Sequence, residues 1–258
     1  SGYLTKATGT STIDTSQIYQ SSGLIGIGTT SPTQKLTVNG DALINSLRIG
    51  RGTGASNQSN TAVGDSVLEV NTTGNSNTGL GYRVLEANTS GSGNTGIGIG
   101  SLQLNTTGQY NTGLGLYTNL LNISGSNNTA GGAFSLYYNT ASNNTAYGYS
   151  SLFRITTGDY NTAVGGLAGR SLTAGGNNAT STYGVYLGYN TTASADGNTN
   201  EVVIGANAGG NGSNTVTIGN SSITNTYLKG QLNIAGTPSG VGTKALRIDA
   251  SGNVSAAD

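Results

Sequence analysis

Asn60-Thr61-Ala62-Val63-Gly64 is the first of seven near-identical pentapeptides, Asn-Thr-[Ala/Gly]-x-Gly, which begin at Asn60, Asn77, Asn94, Asn111, Asn128, Asn144 and Asn161. Successive starts are about 17 residues apart, the step from Asn128 to Asn144 alone being one shorter. A self-similar period of this kind is the mark of a repeat architecture and takes precedence over any local reading. The rest of the unit is patterned too. Four residues after the closing glycine stand Leu68, Leu85, Leu102, Leu136 and Leu152, while the fourth copy has Asn119 there and Leu120 one place on. Seven residues after that glycine comes a second asparagine, in Asn71, Asn88, Asn105, Asn122 and Asn139. Another glycine closes most units, at Gly74, Gly91, Gly108, Gly125 and Gly158.

A unit this short cannot hold a helix-turn-helix, and three glycines per unit are poor for a helix. Two short strands and two turns do fit. In Val67-Leu68-Glu69-Val70 the alternation of a strand would put Leu68 and Val70 on one face and Glu69 on the other. The residue before the apolar fourth position is always small (Ala62, Gly79, Gly96, Gly113, Ala130, Ala146, Ala163), which predicts a second backbone packed close against it. The expected object is an all-β parallel β-solenoid, or left-handed β-roll, with one coil of about 17 residues per repeat. Stacked coils turn equivalent positions into ladders. The first asparagines (60, 77, 94, 111, 128, 144, 161) and the second (71, 88, 105, 122, 139) are the expected structural rows, with amides bonded up and down the stack. Each coil has only about three or four apolar residues. At roughly 1.5–3 kcal/mol per buried side chain against ~1–2 kcal/mol per ordered residue, a lone coil is marginal, so chain association is expected.

Composition fits a hydrogen-bonded array rather than a thick globular core. Of 258 residues 44 are glycine, 34% are hydrophobic and 8% are charged, and the formal net charge is zero. Residues 87–153 carry no charge at all. The absence of His and Cys removes the usual general base, thiol nucleophile and soft metal ligands. No cofactor or metal is expected, and the chain reads as a non-enzyme. No basic face of the kind that neutralises phosphates is visible, so nucleic acid is not an expected partner. No apolar run reaches the ~20 residues of a membrane span.

Along the chain, 1–23 read as an extended N-terminal stem and 24–59 as a small β adaptor. In the adaptor Leu36-Thr37-Val38 runs into the turn signal Asn39-Gly40. The seven repeats fill 60–172, looser β-roll coils fill 173–228, and 229–258 form a C-terminal β stem. Ser1-Gly2 reads as a tag scar and Asp258 as an arbitrary end, so a longer native chain is expected.

These units, together with Asn214-Thr215-Val216-Thr217-Ile218-Gly219, resemble the head repeats of trimeric autotransporter adhesins. The runs Ile25-Gly26-Ile27-Gly28-Thr29-Thr30-Ser31-Pro32, Lys35 to Gly40, and Leu246 to Val254 look like segments that flank such repeats in phage tail fibres. The resemblance implies a left-handed parallel β-roll assembled as a homotrimer, intertwined or side by side. It implies a structural or receptor-binding segment of a tail fibre that sits on the virion, outside the cell. The partners implied are two further copies of the chain, other fibre or baseplate segments, and a host cell-surface glycan or protein. The alternative the likeness allows is the head of a bacterial surface adhesin. A third reading, an ice-binding solenoid, rests on the threonine row 61, 78, 95, 112, 129, 145 and 162.

The candidate ligand contacts are Tyr137, Tyr138, Tyr147, Tyr149 and Tyr160, a dense group of aromatic faces in polar surroundings that could stack on sugar rings. The plainer expectation is that they pack between chains or cap coil corners. Glu69 and Glu86 share a repeat position and are expected to stack as a carboxylate pair; paired carboxylates cleave glycosides when suitably spaced. The plainer expectation is an exposed row neutralised by Arg83. Gly23-x-x-Gly26-x-Gly28 and Gly96-x-Gly98-x-Gly100 resemble phosphate loops but lack a following helix and lysine, and read as turn glycines.

Overall fold

The computed structural model of the chain describes residues 2–3, 18–44, 47–52, 59–227, 229, 246–248 and 254–256. Among these there is no helix. Two compact units divide at Ser222/Ile223.

In the first unit, β1 (Gly2–Tyr3), β2 (Ile18–Ser21), β3 (Leu24–Ile27) and β4 (Leu36–Val38) form one sheet in that order. The pairings are antiparallel, antiparallel and parallel. The β2–β3 hairpin turns through Ser22-Gly23, so it bridges the stem and adaptor segments read from the sequence. β5 (Ala42–Ile44) and β6 (Leu47–Gly50) are an antiparallel hairpin in a second sheet of twelve strands. Asn39-Gly40 is thus not a hairpin turn: β4 and β5 belong to different sheets, and the chain bends there from one to the other.

β6 lies antiparallel on β7 (Thr61–Gly64), pairing Ile49 with Val63. From β7 onward each strand pairs in parallel with the next in sequence. β8 (Thr78–Tyr82), β9 (Thr95–Ile99), β10 (Thr112–Leu114), β11 (Thr129–Gly131), β12 (Thr145–Tyr147) and β13 (Thr162–Val164) follow in order. They continue as β14 (Val185–Leu187), β15 (Val202–Ile204) and β16 (Val216–Ile218). The result is a parallel β-solenoid of about nine turns with coils of ~17 residues. Coil n is counted here from the nth pentapeptide asparagine. In the second unit, β17 (Leu246–Ile248) and β18 (Val254–Ala256) form an antiparallel pair.

The β5–β6 hairpin floors the solenoid by covering the edge that β7 would otherwise expose. Asp41 holds the hairpin's exit in place: its carboxylate accepts the N–H groups of Arg51 (2.7 Å) and Gly52 (3.0 Å) and lies 3.7 Å from the Arg48 guanidinium.

Each coil has one strand, not two. The expected strand Val67–Val70 is a turn in which Ser66 and Leu68 are both left-handed, with φ of 54° and 51°. A left-handed residue breaks the in–out alternation, so the consecutive Val67 and Leu68 are both fully buried while Glu69 and Val70 face out. Arg83/Leu85, Phe134/Leu136 and Ser150/Leu152 repeat the device. A left-handed non-glycine residue costs roughly 1–2 kcal/mol, and burying a leucine returns about 1.5–3 kcal/mol. The coils still bond to one another along this wall: Leu68 donates to Val84, Leu85 to Ser101, and Leu102 to Thr118. In the fourth copy the left-handed place is held by Asn119 (φ 49°), a residue suited to it, and the leucine stands one place on at Leu120.

The small position is explained by the opposite wall of the same coil stack. A Cβ on Gly79 would strike the Val67 side chain, and one on Gly96 would strike Val84. The close neighbour is thus a side chain, not the backbone expected. Inside, the apolar residues form two clusters, one from Ala62 to Leu102 and one from Ala130 to Ala208. Between them the fourth coil presents Thr118, Asn119 and Asn122 to the interior.

Later coils vary in length. Val185 is the register partner of Thr162, a longer step than in the earlier coils, because an excursion closed by the Ser171–Asn177 bridge is added. The final step, from Val202 to Val216, is shorter than those before it. In β14, Tyr186 occupies the position that is small in the seven repeats and is fully buried. It fits because Gly169 stands where other coils have leucine and Gly184 where they have asparagine; a Cβ on either would meet its ring.

Candidate functional site

Both asparagine rows point inward. In the first row each Oδ1 accepts the backbone N–H of the next coil's asparagine, from Asn60–Asn77 through Asn144–Asn161, at 2.9–3.0 Å. Gly184 N–H ends the row on Asn161 at 2.8 Å. Each Nδ2 crosses its own coil to the carbonyl of the closing turn, as Asn94 does to Gly108 (2.8 Å). In the second row Asn88, Asn105 and Asn122 each donate to the Oδ1 of the preceding rung at 2.8–3.1 Å. Asn139 does not join: its amide goes to Asn119 Oδ1 (3.3 Å), and Asn122 Oδ1 has no hydrogen-bond partner. Ile155 follows in the same place and belongs to the apolar interior. The one shorter step reflects a residue lost after Asn139, so that Ala141 supplies the carbonyl that Gly125 and Gly158 supply in their coils.

In the glycine motifs Gly26 lies in β3 and Gly96 and Gly98 in β9, while Gly23, Gly28 and Gly100 stand just outside the strands as turn glycines with φ of 79°, 70° and 59°. Glu86 is held by Arg83 (2.9 Å) and by Gln103 Nε2 (2.6 Å), an arrangement that leaves it serving as an ion-pair partner on the surface. No group of three or more His, Cys, Asp or Glu among the described residues is placed to hold a metal ion.

The five tyrosines are distributed over three places. Tyr147 stands on the outer face of the sheet with its ring over Gly131 of the coil before. Tyr160 lies at another corner, stacked on Tyr183 with centroids 5.0 Å apart and planes 3° from parallel. Tyr137, Tyr138 and Tyr149 do come together, on the left-handed turn wall, around two phenylalanines. Phe153 stacks on Tyr137 (5.2 Å) and meets Tyr138 edge-on (5.3 Å). Phe134 meets Tyr149 edge-on at 6.0 Å and Tyr117 at the same distance. The guanidinium groups of Arg154 and Arg170 lie 5.7 and 5.2 Å from the Phe153 ring centre, within cation–π range. Tyr138 and Tyr149 are 40% and 58% exposed, so ring surface remains open to solvent.

A second surface is the outer face of the sheet. In-register Val63, Leu80, Ile97, Leu114 and Val164 project outward beside the threonine row. Leu80, Ile97, Leu114 and Val164 are 37–46% exposed, and between the last two the row passes through Gly131 and the exposed Tyr147.

Sequence reasoning missed Glu201. Register places it where earlier coils have the first asparagine, and it is fully buried. Its carboxylate accepts N–H groups from Gly212 (2.8 Å) and Ser194 (3.3 Å) and the Asn198 amide (3.1 Å), closing its coil as asparagine does elsewhere. Burial, and then the charge of Glu201, push the Tyr186 phenol up to about 12. Burial tends to raise the Asp196 carboxyl as well, but the N–H groups of Thr180, Ala179 and Gly197 and the Thr180 hydroxyl outweigh it and hold the group below its ordinary value. Phe134, Phe153, Arg154 and Arg170 were also missed; the signal was present as aromatic and cationic residues at neighbouring unit positions, visible once the copies are aligned by register.

Comparison with family models, curated proteins and solved structures gives no match for this chain.

Proposed function

We propose that this chain is a rigid display segment of a homotrimeric fibre of the phage tail-fibre kind, serving attachment to a host cell-surface ligand, with glycan as the favoured class. The observation that carries the reading is the in-register row on the outer sheet face: Leu80, Ile97 and Leu114, then Gly131 with the Tyr147 ring over it, then Tyr147 and Val164. Its occupants are two further copies of the same chain. Residues 87–153 are uncharged, so bringing identical faces together along this stretch juxtaposes no like charges. Burying the row adds apolar contact that a single thin coil lacks. Three copies of each weak ligand site then act with avidity on a repeated surface ligand. The likeness of the repeat units to fibre and adhesin sequences supports the same reading, and the head of a bacterial surface adhesin is its nearest variant. The ice-binding reading is disfavoured by the second outward row: beside the threonines stand leucine, isoleucine and tyrosine, not a second threonine row.

Light scattering on a sizing column tests the assembly. A mass near three times 25.7 kDa is expected, falling to a single chain in an Ile97→Lys, Leu114→Lys variant. A wild-type monomer sinks the fibre reading.

A further inference from the structure

The turn wall of coils four to seven carries more than the attachment reading asks of it. Six rings gather there: Tyr117 from coil four, Phe134, Tyr137 and Tyr138 from coil five, Tyr149 and Phe153 from coil six. Arg154 and Arg170 flank Phe153. Among the described residues neither arginine has a carboxylate within ion-pair distance, whereas Arg83 and Arg48 each do. The nearest acid along the chain, Asp159, is engaged with the Ser142 N–H at 2.7 Å. Two uncompensated guanidinium groups therefore stand beside rings drawn from the uncharged stretch 87–153.

We propose that this wall binds acidic saccharides, sugars bearing a carboxylate. The inference rests on the attachment reading and names its ligand class. The exposed ring faces of Tyr138 and Tyr149 offer flat apolar surface for the C–H face of a pyranose, and their hydroxyls offer hydrogen bonds to sugar hydroxyls. The guanidinium forks of Arg154 and Arg170 match a carboxylate in bidentate geometry. Packing them on Phe153 holds both side chains at the edge of the aromatic surface, so little ordering remains to be done on binding. A second copy of the chain is a poor occupant, because a symmetric contact here sets arginine against arginine with no acid beside them. The rings and arginines of this wall are other residues than those of the sheet face assigned to chain contact.

The test uses the full chain in calorimetric titrations with sialyllactose against lactose and with cellobiouronic acid against cellobiose. At least one acidic sugar is expected to bind more tightly than its neutral partner, with a preference that shrinks as salt is raised. Replacing both Arg154→Gln and Arg170→Gln should weaken the acidic sugar roughly tenfold and leave the neutral one unchanged. Tyr138→Ala with Tyr149→Ala should weaken both. Equal binding of acidic and neutral sugars, or binding of neither, overturns the proposal, as does equally tight binding of a poly-glutamate peptide. The mass of the same sample separates the two readings. A trimer with no acidic preference removes this site and leaves the fibre; a monomer with the preference removes the fibre and leaves the site.

Discussion

At the scale of the residue, a single asparagine does three jobs in each of the seven repeat coils. Asn94 donates to Gly108, accepts from Asn111, and fills the interior corner between them. Asn94→Ala leaves the buried Asn111 N–H without a partner, while the Gly108 carbonyl keeps only the Asn105 amide at 3.0 Å. At about 1–3 kcal/mol for such a group, a loss of about 1–3 kcal/mol is expected in chemical unfolding. A surface change such as Thr107→Ala should cost far less, and equal losses would show that the row is incidental. Tyr186 gives a pH signature. Its phenol is pushed up to about 12 by burial and by Glu201, while the unfolded chain titrates near 10. The associated stability is complete below about pH 10 and is lost as the pH rises through about 12. Between about pH 8 and about pH 11 the wild-type melting temperature should therefore fall more steeply than that of Tyr186→Phe; parallel curves would refute the assignment. Such residues also mark what the sequence hid. The asparagine rows were legible because they recur at one spacing. Glu201 was not, because a different residue type does the same work in a coil of different length.

At the scale of the element, the two walls of a coil are sized against each other. Gly79 lies against Val67 and Gly96 against Val84, while further along the chain Ala146 answers Ser135 and Ala163 answers Ser151 at the same two positions. Gly79→Ala alone overpacks the interior, at about 1–3 kcal/mol. Val67→Ala alone leaves a cavity. The double variant should be more stable than the sum of the two losses allows, by at least about 0.5 kcal/mol in a double-mutant cycle; strict additivity would mean the walls do not touch. The interior gap between the two apolar clusters is the weaker element. Coil four buries Asn119 Nδ2 and Asn122 Oδ1 without partners. Amides around Thr118–Asn122 should exchange with deuterium sooner than those around Leu85 or Leu152. The period was legible at this scale and the second wall was not. Alternation implies a strand only if every residue keeps negative φ, and Leu68 and its counterparts do not. The aromatic wall was half legible for a related reason: its rings come from different unit positions in neighbouring coils, so closeness along the chain picked out Tyr147 and Tyr160, which lie elsewhere, and passed over Phe134 and Phe153.

At the scale of the whole molecule, a solenoid is a sum of like units and their contacts, so its stability should change in steps of one coil. Removing 78–94, one full period, joins Asn77 to Thr95 with register kept on both sides. That variant is expected to fold, with a proportionally smaller unfolding transition and the same number of chains in the assembly. Removing half a period from the same place should prevent folding, and circular dichroism with light scattering distinguishes the outcomes. The tolerated irregularities agree with this logic. The residue lost after Asn139 and the excursion at 171–177 both fall at corners, never between a first asparagine and its strand.

The first asparagine row also has a direction in time. Each side-chain oxygen is oriented by a carbonyl of its own coil and receives an amide that lies later in the chain. A polypeptide leaving the ribosome, amino end first, therefore lays every new turn onto an acceptor already in place, beginning from the floor that the β5–β6 hairpin provides. Gly184, having no side chain, takes the last such acceptor and offers none, so the casting of the row starts and stops at points written into the chain.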